Sequence, residues 1–311
     1  MRDLRSIGRL RRLPGMFMLS VAVTALVAAG CSNNDNESTG GGSSAAIGPT
    51  TVDVAKQADI AALLPAPIRD SGQLIVGVNV PYTPNEFKDS NGQIIGFDID
   101  LMNAIGKVLG LTPVYKEADF DKIIPAVQAG TFNIGMSSFT DTKERQQQVD
   151  FVTYFQAGTQ WAQQAGRSVD PNNACGKKVA VQATTIQDTD EIPAKSKACT
   201  DAGKPAIEKV KFTDQSEATN ALVLGRVDAM SADSPVTAYA IKQAGGKIEP
   251  AGAVFDSAPY GYPIAKGSPL VPAIQKAVQY LIDNGHSKAI ADHWGVGAGV
   301  IPTAVVNGAT S

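Results

Sequence analysis

Beyond residue 73 the chain repeats one rhythm: a short apolar run, a turn, then a stretch whose apolar positions recur at helical spacing. The run 74–80 predicts a buried strand. Residues 99–109 predict a helix, because Leu101, Met102, Ile105, Val108 and Leu109 share one face and Gly110 stops it. Residues 113–116 predict a short strand, 122–128 a short helix with Pro125 near its start, and 133–136 another strand. The rhythm restarts after Cys175. Strands are predicted over 178–182, 208–212 and 227–231, and helices over 216–224 and 236–243, the latter entered with Ser234 as N-cap and Pro235 as first helical residue. A last strand over 262–266 leads into a helix over 269–284 that buries Val271, Ile274, Val278, Leu281 and Ile282 and ends at Gly285. Ahead of the rhythm, 52–64 is weakly helical and broken by Pro65 and Pro67.

Alternation of this kind predicts an α/β architecture, with mostly parallel sheets covered by helices. Residues 70–311 are many for one core and comfortable for two. Two such units in tandem, with the tail returning after the second, predict two lobes joined by more than one chain crossing. The expected boundaries are lobe 1 over 70–158, lobe 2 over 159–260, and a return to lobe 1 with a C-terminal tail over 261–311. Open α/β sheets bind ligands beyond the carboxyl ends of their strands, so the cleft between the lobes is the expected site.

The N-terminus adds an address. Arg2, Arg5, Arg9, Arg11 and Arg12 precede an apolar stretch over 16–29 that is short of the roughly 20 residues a membrane span needs. Residues 1–30 therefore read as a signal peptide. The junction Ala28-Ala29-Gly30-Cys31 resembles a bacterial lipobox, with Ala28 where Leu is usual, and Cys31 is the expected lipidation site. Residues 31–69 then read as a Ser/Gly/Asn-rich tether and a short helical lead-in. Removing five of 27 basic and one of 30 acidic residues with the signal leaves 22 and 29, a net charge of −7. With no basic cluster after Arg12, a nucleic-acid partner is not expected. In an exported chain Cys175 and Cys199 are expected to pair, stabilising by about 3 kcal/mol through loop closure. His286 and His293 do not form a metal-binding pattern, and no metal or cofactor is expected.

Candidate chemistry concentrates in residues 137–145, S-S-F-T-D-T-K-E-R. An apolar run ends in hydroxyls, and Asp141 and Glu144, spaced like a capping box, predict a helix that carries Arg145 in its first turn. Free N–H groups, hydroxyls and a guanidinium would then converge on one carboxylate. The plainer alternative pairs Arg145 with Asp141 at i, i+4 on a solvated face. Asp98 and Asp100 look like a catalytic pair, but they open a helix, where its dipole stabilises acids, so capping is the expected role.

The run Gly96-Phe97-Asp98-Ile99-Asp100-Leu101 resembles the signature of the polar-amino-acid solute-binding proteins of bacterial ABC importers. So do 119–125 (D-F-D-K-I-I-P), 137–145, Val149-Asp150-Phe151, 225–229 (G-R-V-D-A) and 260–269, so the similarity spans 73–296. The resemblance implies the two-lobed type II periplasmic-binding-protein fold. It also implies a monomeric lipoprotein on the outer face of the cell membrane that captures a free L-amino acid for a permease. Arg145 would clamp the α-carboxylate, with Ser138, Thr140 and, from the second lobe, Thr185 adding contacts. Asp233 would take the α-ammonium, where the alternative is a helix cap. Tyr82 and Phe120 would wall the side chain, where the alternative is core packing. The family carries Gly followed by two Ser/Thr residues at 184–186, so Thr184 and Ile186 are departures. Where basic amino acids are taken, an acid stands in place of Asn79, and Asn85 replaces a common aromatic. The expected ligand therefore has a polar or acidic side chain, with glutamine, glutamate or asparagine first, unless Glu86 faces the cleft. Two alternatives remain: an amino-acid sensor for a membrane signalling partner, and a cyclohexadienyl dehydratase-like enzyme. Against the enzyme, the chain has no P-loop, no G-x-S-x-G and no Cys/His pair.

Overall fold

The computed structural model describes residues 48–309; the signal segment, Cys31 and the tether up to residue 47 lie outside the described residues. The lead-in runs extended into two short helices, α1 (Ala58–Ala61) and α2 (Ala66–Ser71). Pro65 and Pro67 do not break a helix there. They open α2, at its N-cap and in its first turn, where a missing N–H is no loss.

Lobe 1 is built from β1 (Gln73–Val78), the hairpin β2 (Phe87–Lys88) and β3 (Ile94–Ile95), α3 (Phe97–Leu109), β4 (Thr112–Glu117), α4 (Phe120–Gln128) and β5 (Ile134–Gly135). Its sheet has the order β4-β1-β5 and is parallel throughout. Leu74, Val76 and Val78 of β1 are fully buried, which is why that stretch reads as a continuous apolar run. Helix α3 ends where its sequence says, at Gly110 in the left-handed conformation (φ 69°).

Lobe 2 contains β6 (Val149–Gln164), β7 (Lys178–Gln182), α5 (Ile192–Asp201), β8 (Glu208–Phe212), α6 (Gln215–Val223), β9 (Ala229–Asp233), α7 (Ser234–Gln243) and β10 (Ile248–Ala265). The sheet order is β10-β6-β9-β7-β8; β7 runs parallel to β8 and β9, whereas β6 and β10 are antiparallel. Helix α5 is not legible in the sequence, since only its Ile192 and Cys199 are buried. The Cys175–Cys199 disulfide ties it down (S–S 2.03 Å). The chain then returns to lobe 1 as α8 (Val271–Asp283) and α9 (His286–His293).

Two long strands carry the chain between lobes. In β6, Val152, Tyr154 and Phe155 belong to the lobe 1 core, while Trp161 and Ala162 belong to lobe 2 cores. β10 mirrors this, with Ala251 in lobe 2 and Tyr260, Tyr262 and Ile264 in lobe 1. Their pairing is irregular in the middle, with register shifts between Ala251 and Gly261. The sequence reading predicted no strand at β6 and, of β10, only its last few residues. Strands that cross between two cores show no single alternation along their length.

Candidate functional site

A nearly closed cavity lies between the lobes, with room for about one water molecule (about 10 Å³). All eight residues singled out as ligand contacts line it: Asn79, Tyr82, Phe120, Ser138, Thr140, Arg145, Thr185 and Asp233. Ser137, Gln182, Ile186 and Gln187 line it as well and were not singled out.

Arg145 does not sit in the first turn of a helix. The chain makes only one 3₁₀ turn over Arg145–Gln147, so the expected helix N-terminus is absent here. The reason is local. The Thr142 hydroxyl accepts the Arg145 N–H (3.1 Å) and Thr142 O the Gln146 N–H (2.9 Å), as at a helix start. The next bonds run only i to i+3, from Gln147 to Glu144 O and from Gln148 to Arg145 O, and the chain enters a strand at Val149. Nor does Arg145 pair with Asp141. Its guanidinium donates to Thr140 O (2.8 Å) and, across the cleft, to Thr184 O (3.1 Å). It also lies 5.6 and 5.5 Å from the ring centroids of Phe120 and Phe139, which stack on each other at 4.3 Å. Phe120 is thus part of an arginine platform.

Ser138 departs from its expected role. Its N–H and its hydroxyl both donate to Asp98 Oδ2 (3.1 Å each), so neither donor is free for a carboxylate. Asn85 Nδ2 donates to the same hydroxyl oxygen (2.7 Å). Toward the cavity Ser138 can only accept. Its φ of 50° is in the left-handed region, a strained conformation of the kind that gathers at functional sites.

In lobe 2, Asp233 ends β9 and occupies the N-cap position of α7, with Ser234 and Pro235 already inside the helix. Its carboxylate nevertheless makes no capping bond. Oδ2 accepts from Tyr82 OH (2.9 Å) and Tyr260 OH (2.7 Å), and Oδ1 from Gln187 Nε2 (2.8 Å). Burial raises its pKa, and these three donors and Arg145 oppose the rise. Burial likewise lowers the pKa of Arg145, and Asp233 is the charge that most opposes this. Thr184 keeps the left-handed backbone (φ 64°) that a glycine adopts without strain, although it carries a side chain. Its N–H donates to Asp188 Oδ2 (2.9 Å), and Thr185 Oγ1 donates to Gln182 O (2.8 Å).

The other end of the cavity is made of amides. Asn79 Nδ2 donates to Ala118 O (3.1 Å), while Gln182 Nε2 donates to Asn79 Oδ1 (2.9 Å) and Thr213 O (3.0 Å). Gln182 is at the carboxyl end of β7, the position where open α/β sheets place ligand contacts, and that rule would have found it. Gln187 carries no comparable local signal. Glu86 does not line the cavity; it is fully buried behind Ser137. Asp98 and Asp100 are in the first turn of α3, but backbone carbonyls of Pro84 and Asn85 take the free N–H groups there. The two carboxylates therefore make tertiary bonds instead of caps: Asp98 to Ser138 and Tyr154, Asp100 to Thr50 N and Trp294 Nε1. Among the described residues no group of three or more His, Cys, Asp or Glu could hold a metal ion, and no helix is long and apolar enough to cross a membrane.

Residues 74–297 match the bacterial extracellular solute-binding proteins, family 3. The chain belongs to this family. It shares the two-lobed type II fold of the amino-acid-binding proteins of ABC importers. The arginine-binding protein ArgT of Corynebacterium glutamicum is 43% identical over 251 residues, 80% of this chain and 83% of that protein. An ancestral arginine-binding protein, solved with arginine and again with glutamine, superposes with a TM-score of 0.66 in both forms, covering 72% of this chain and 98% of that one at 37% and 36% identity. The ancestral amino acid-binding protein AncCDT-1, a precursor of cyclohexadienyl dehydratase, superposes with a TM-score of 0.63 at 34% identity, covering 75% of this chain and 99% of that one.

These likenesses do not support the expected preference for glutamine, glutamate or asparagine. For glutamate the cavity supplies a physical reason. Arg145 is the only cation among its lining residues, so a side-chain carboxylate would find no second one. The sequence argument weighed Asn79, Asn85 and Glu86 and had no view of the Ala118 carbonyl beside Asn79 or the Thr213 carbonyl beside Gln182.

Proposed function

We propose that this chain captures a free L-amino acid whose side chain ends in N–H donors, arginine first and glutamine second, and presents it to an ABC permease. The observation that carries the reading is that Arg145 and Asp233 reach one cavity from opposite lobes. A zwitterion fits such a pair, with its carboxylate on the guanidinium and its ammonium on the carboxylate. Thr140 and Thr185 flank the carboxylate, and the Ser138 oxygen faces the ammonium. Phe120 and Tyr82 border the side chain, and Asn79 with Gln182 meets its end through amide and carbonyl oxygens, which suit a guanidinium or a carboxamide.

Capture proceeds by hinge closure. The lobes divide at 158/159 and 260/261, inside β6 and β10, and the irregular pairing there supports bending at those points. In the closed form hydrogen bonds already cross the cleft, among them Tyr82 to Asp233, Arg145 to Thr184 and Gln182 to Asn79. A ligand would displace these internal partners and cross-link the lobes in their place. A lipid on Cys31 and the tether would keep the monomeric domain near its permease outside the cell. Capture without turnover is favoured because Asp233 already satisfies three donors and AncCDT-1 is itself named an amino acid-binding protein. Turnover of arogenate or prephenate would mark the enzyme alternative, and normal amino-acid uptake in a deletion strain would mark a sensor.

A thermal-shift panel of the twenty amino acids on the mature domain tests the reading. A true ligand at a hundredfold excess over its Kd should stabilise by about 2.7 kcal/mol. Arginine should give the largest shift, and a panel with no responder overturns the proposal.

A further inference from the structure

We infer that Glu86 and Asp98 share one proton and thereby turn the hydroxyls of Ser137 and Ser138 so that both face the cavity as hydrogen-bond acceptors. The consequence for the ligand rests on the amino-acid reading above; the shared proton does not.

The pair is assembled by a close backbone approach. A Cβ on Gly96 would lie 2.1 Å from Asn85 O, so only glycine lets the loop carrying Glu86 press against the start of α3. Phe97 N–H then donates to Pro84 O (3.1 Å) and Asp98 N–H to Asn85 O (2.9 Å), which sets Asp98 against the residue preceding Glu86, while the adjacent Ser137 and Ser138 bond one carboxyl each. Both are fully buried. Ser137 Oγ donates to Glu86 Oε1 (2.6 Å). Asp98 Oδ2 accepts from Ser138 N–H, Ser138 Oγ (3.1 Å each) and Tyr154 OH (2.8 Å). The remaining oxygen of each carboxyl, Glu86 Oε2 and Asp98 Oδ1, has no donor. Two buried acceptors, each with an oxygen that no donor reaches, cannot satisfy each other while both are ionised, and a single proton held between them satisfies both.

The surroundings say where the proton sits. The titratable groups acting on the pair are Tyr82, Tyr115, Tyr154, Tyr262 and, from lobe 2, Asp233; none is a cation. Burial pushes both carboxyls up, Asp98 to about 6 and Glu86 well above its ordinary value. Asp98 accepts three hydrogen bonds that favour its charged form and Glu86 only one, so the proton resides on Glu86. Both serine protons then point inward. Asn79 O is a poorer alternative acceptor for Ser137, at 3.2 Å. Glu86 and Asp98 are positioning residues: an ammonium would meet oxygen lone pairs at 137 and 138, while a ligand group needing donors would find none there.

The test joins a carboxyl readout without ligand to calorimetric titration with L-arginine. Glu86→Gln is isosteric with the protonated acid: its Nε2 donates to Asp98 and its Oε1 accepts from Ser137. We expect the carbon-13 carboxyl signal of Glu86, assigned by its loss in Glu86→Gln, to report a protonated acid at neutral pH. The folded pair keeps a proton that the unfolded chain releases in the ordinary carboxylate range, so wild-type stability is lost as pH rises toward the pair's raised value. Glu86→Gln should flatten that dependence. Its affinity for L-arginine should stay within about twofold of wild type, whereas Glu86→Ala, which orphans Ser137 and Asp98, should weaken it about tenfold. An ionised Glu86 signal at neutral pH, or a Glu86→Gln variant as weak as Glu86→Ala, overturns the inference. If wild type does not bind L-arginine, the functional reading fails, and the carboxyl signal alone decides the shared proton.

Discussion

The two ends of the cavity solve different problems. At one end stand full charges, Arg145 and Asp233, each held by several partners and each shifted by burial. At the other stand two neutral amides, Asn79 and Gln182, bonded to each other and to backbone carbonyls. Charges taken out of water bind strongly but identically for every α-amino acid. Amides bind weakly, yet they are the groups that differ in effect from one side chain to the next. On the proposed reading affinity and specificity therefore reside in separate places, and specificity is a small difference between similar energies.

Arg145→Ala attacks the charged end and should have the largest effect. It leaves a ligand carboxylate buried without its partner, a loss of about 2–5 kcal/mol, for every amino acid that wild type binds. Calorimetry with L-arginine and L-glutamine checks this, and a loss confined to one of them would break the comparison. Asp233→Asn should follow, costing about 1.5–3 kcal/mol because a charged hydrogen bond becomes a neutral one. A pH series probes the same residue. Since burial raises the pKa of Asp233, acidification protonates it sooner than an exposed acid, and affinity should fall as pH drops toward that raised value. Asn79→Asp sharpens the other end. It should favour arginine over glutamine by about 1 kcal/mol, through one charge-assisted bond, and leave the Arg145 dependence intact. An unchanged ranking would place the side-chain end elsewhere. Replacing Cys175 and Cys199 by Ser should touch neither end. Stability falls by about 3 kcal/mol in chemical denaturation, and affinity stays within about twofold.

The fold was legible wherever local rules suffice. β7 and β8 fall where the sequence puts them, and α3 stops at its glycine. The failures have specific causes. The helix expected at Arg145 stops after one 3₁₀ turn because the chain enters the long interlobe strand β6 at Val149. α5 was missed because a disulfide, rather than an apolar stripe, secures it. The cavity's charged end was legible because a guanidinium after a run of hydroxyls and an acid at a strand end are rare and locally marked. Its amide end was not, because Gln182 looks like any other polar residue closing a strand.

By itself the sequence determined the alternation of strands and helices, the two-lobed plan and the cysteine pair, which follow from composition and short-range spacing, and through its family resemblance it named the candidates for the charged end. The tertiary structure alone decided which partners those groups find. Tyr82 meets Asp233 across 151 residues and Asn79 meets Gln182 across 103. It also placed Glu86 behind the serines instead of in the cleft. Hydrogen-bond partners that distant are chosen by how two lobes close on each other, and no local pattern encodes that geometry.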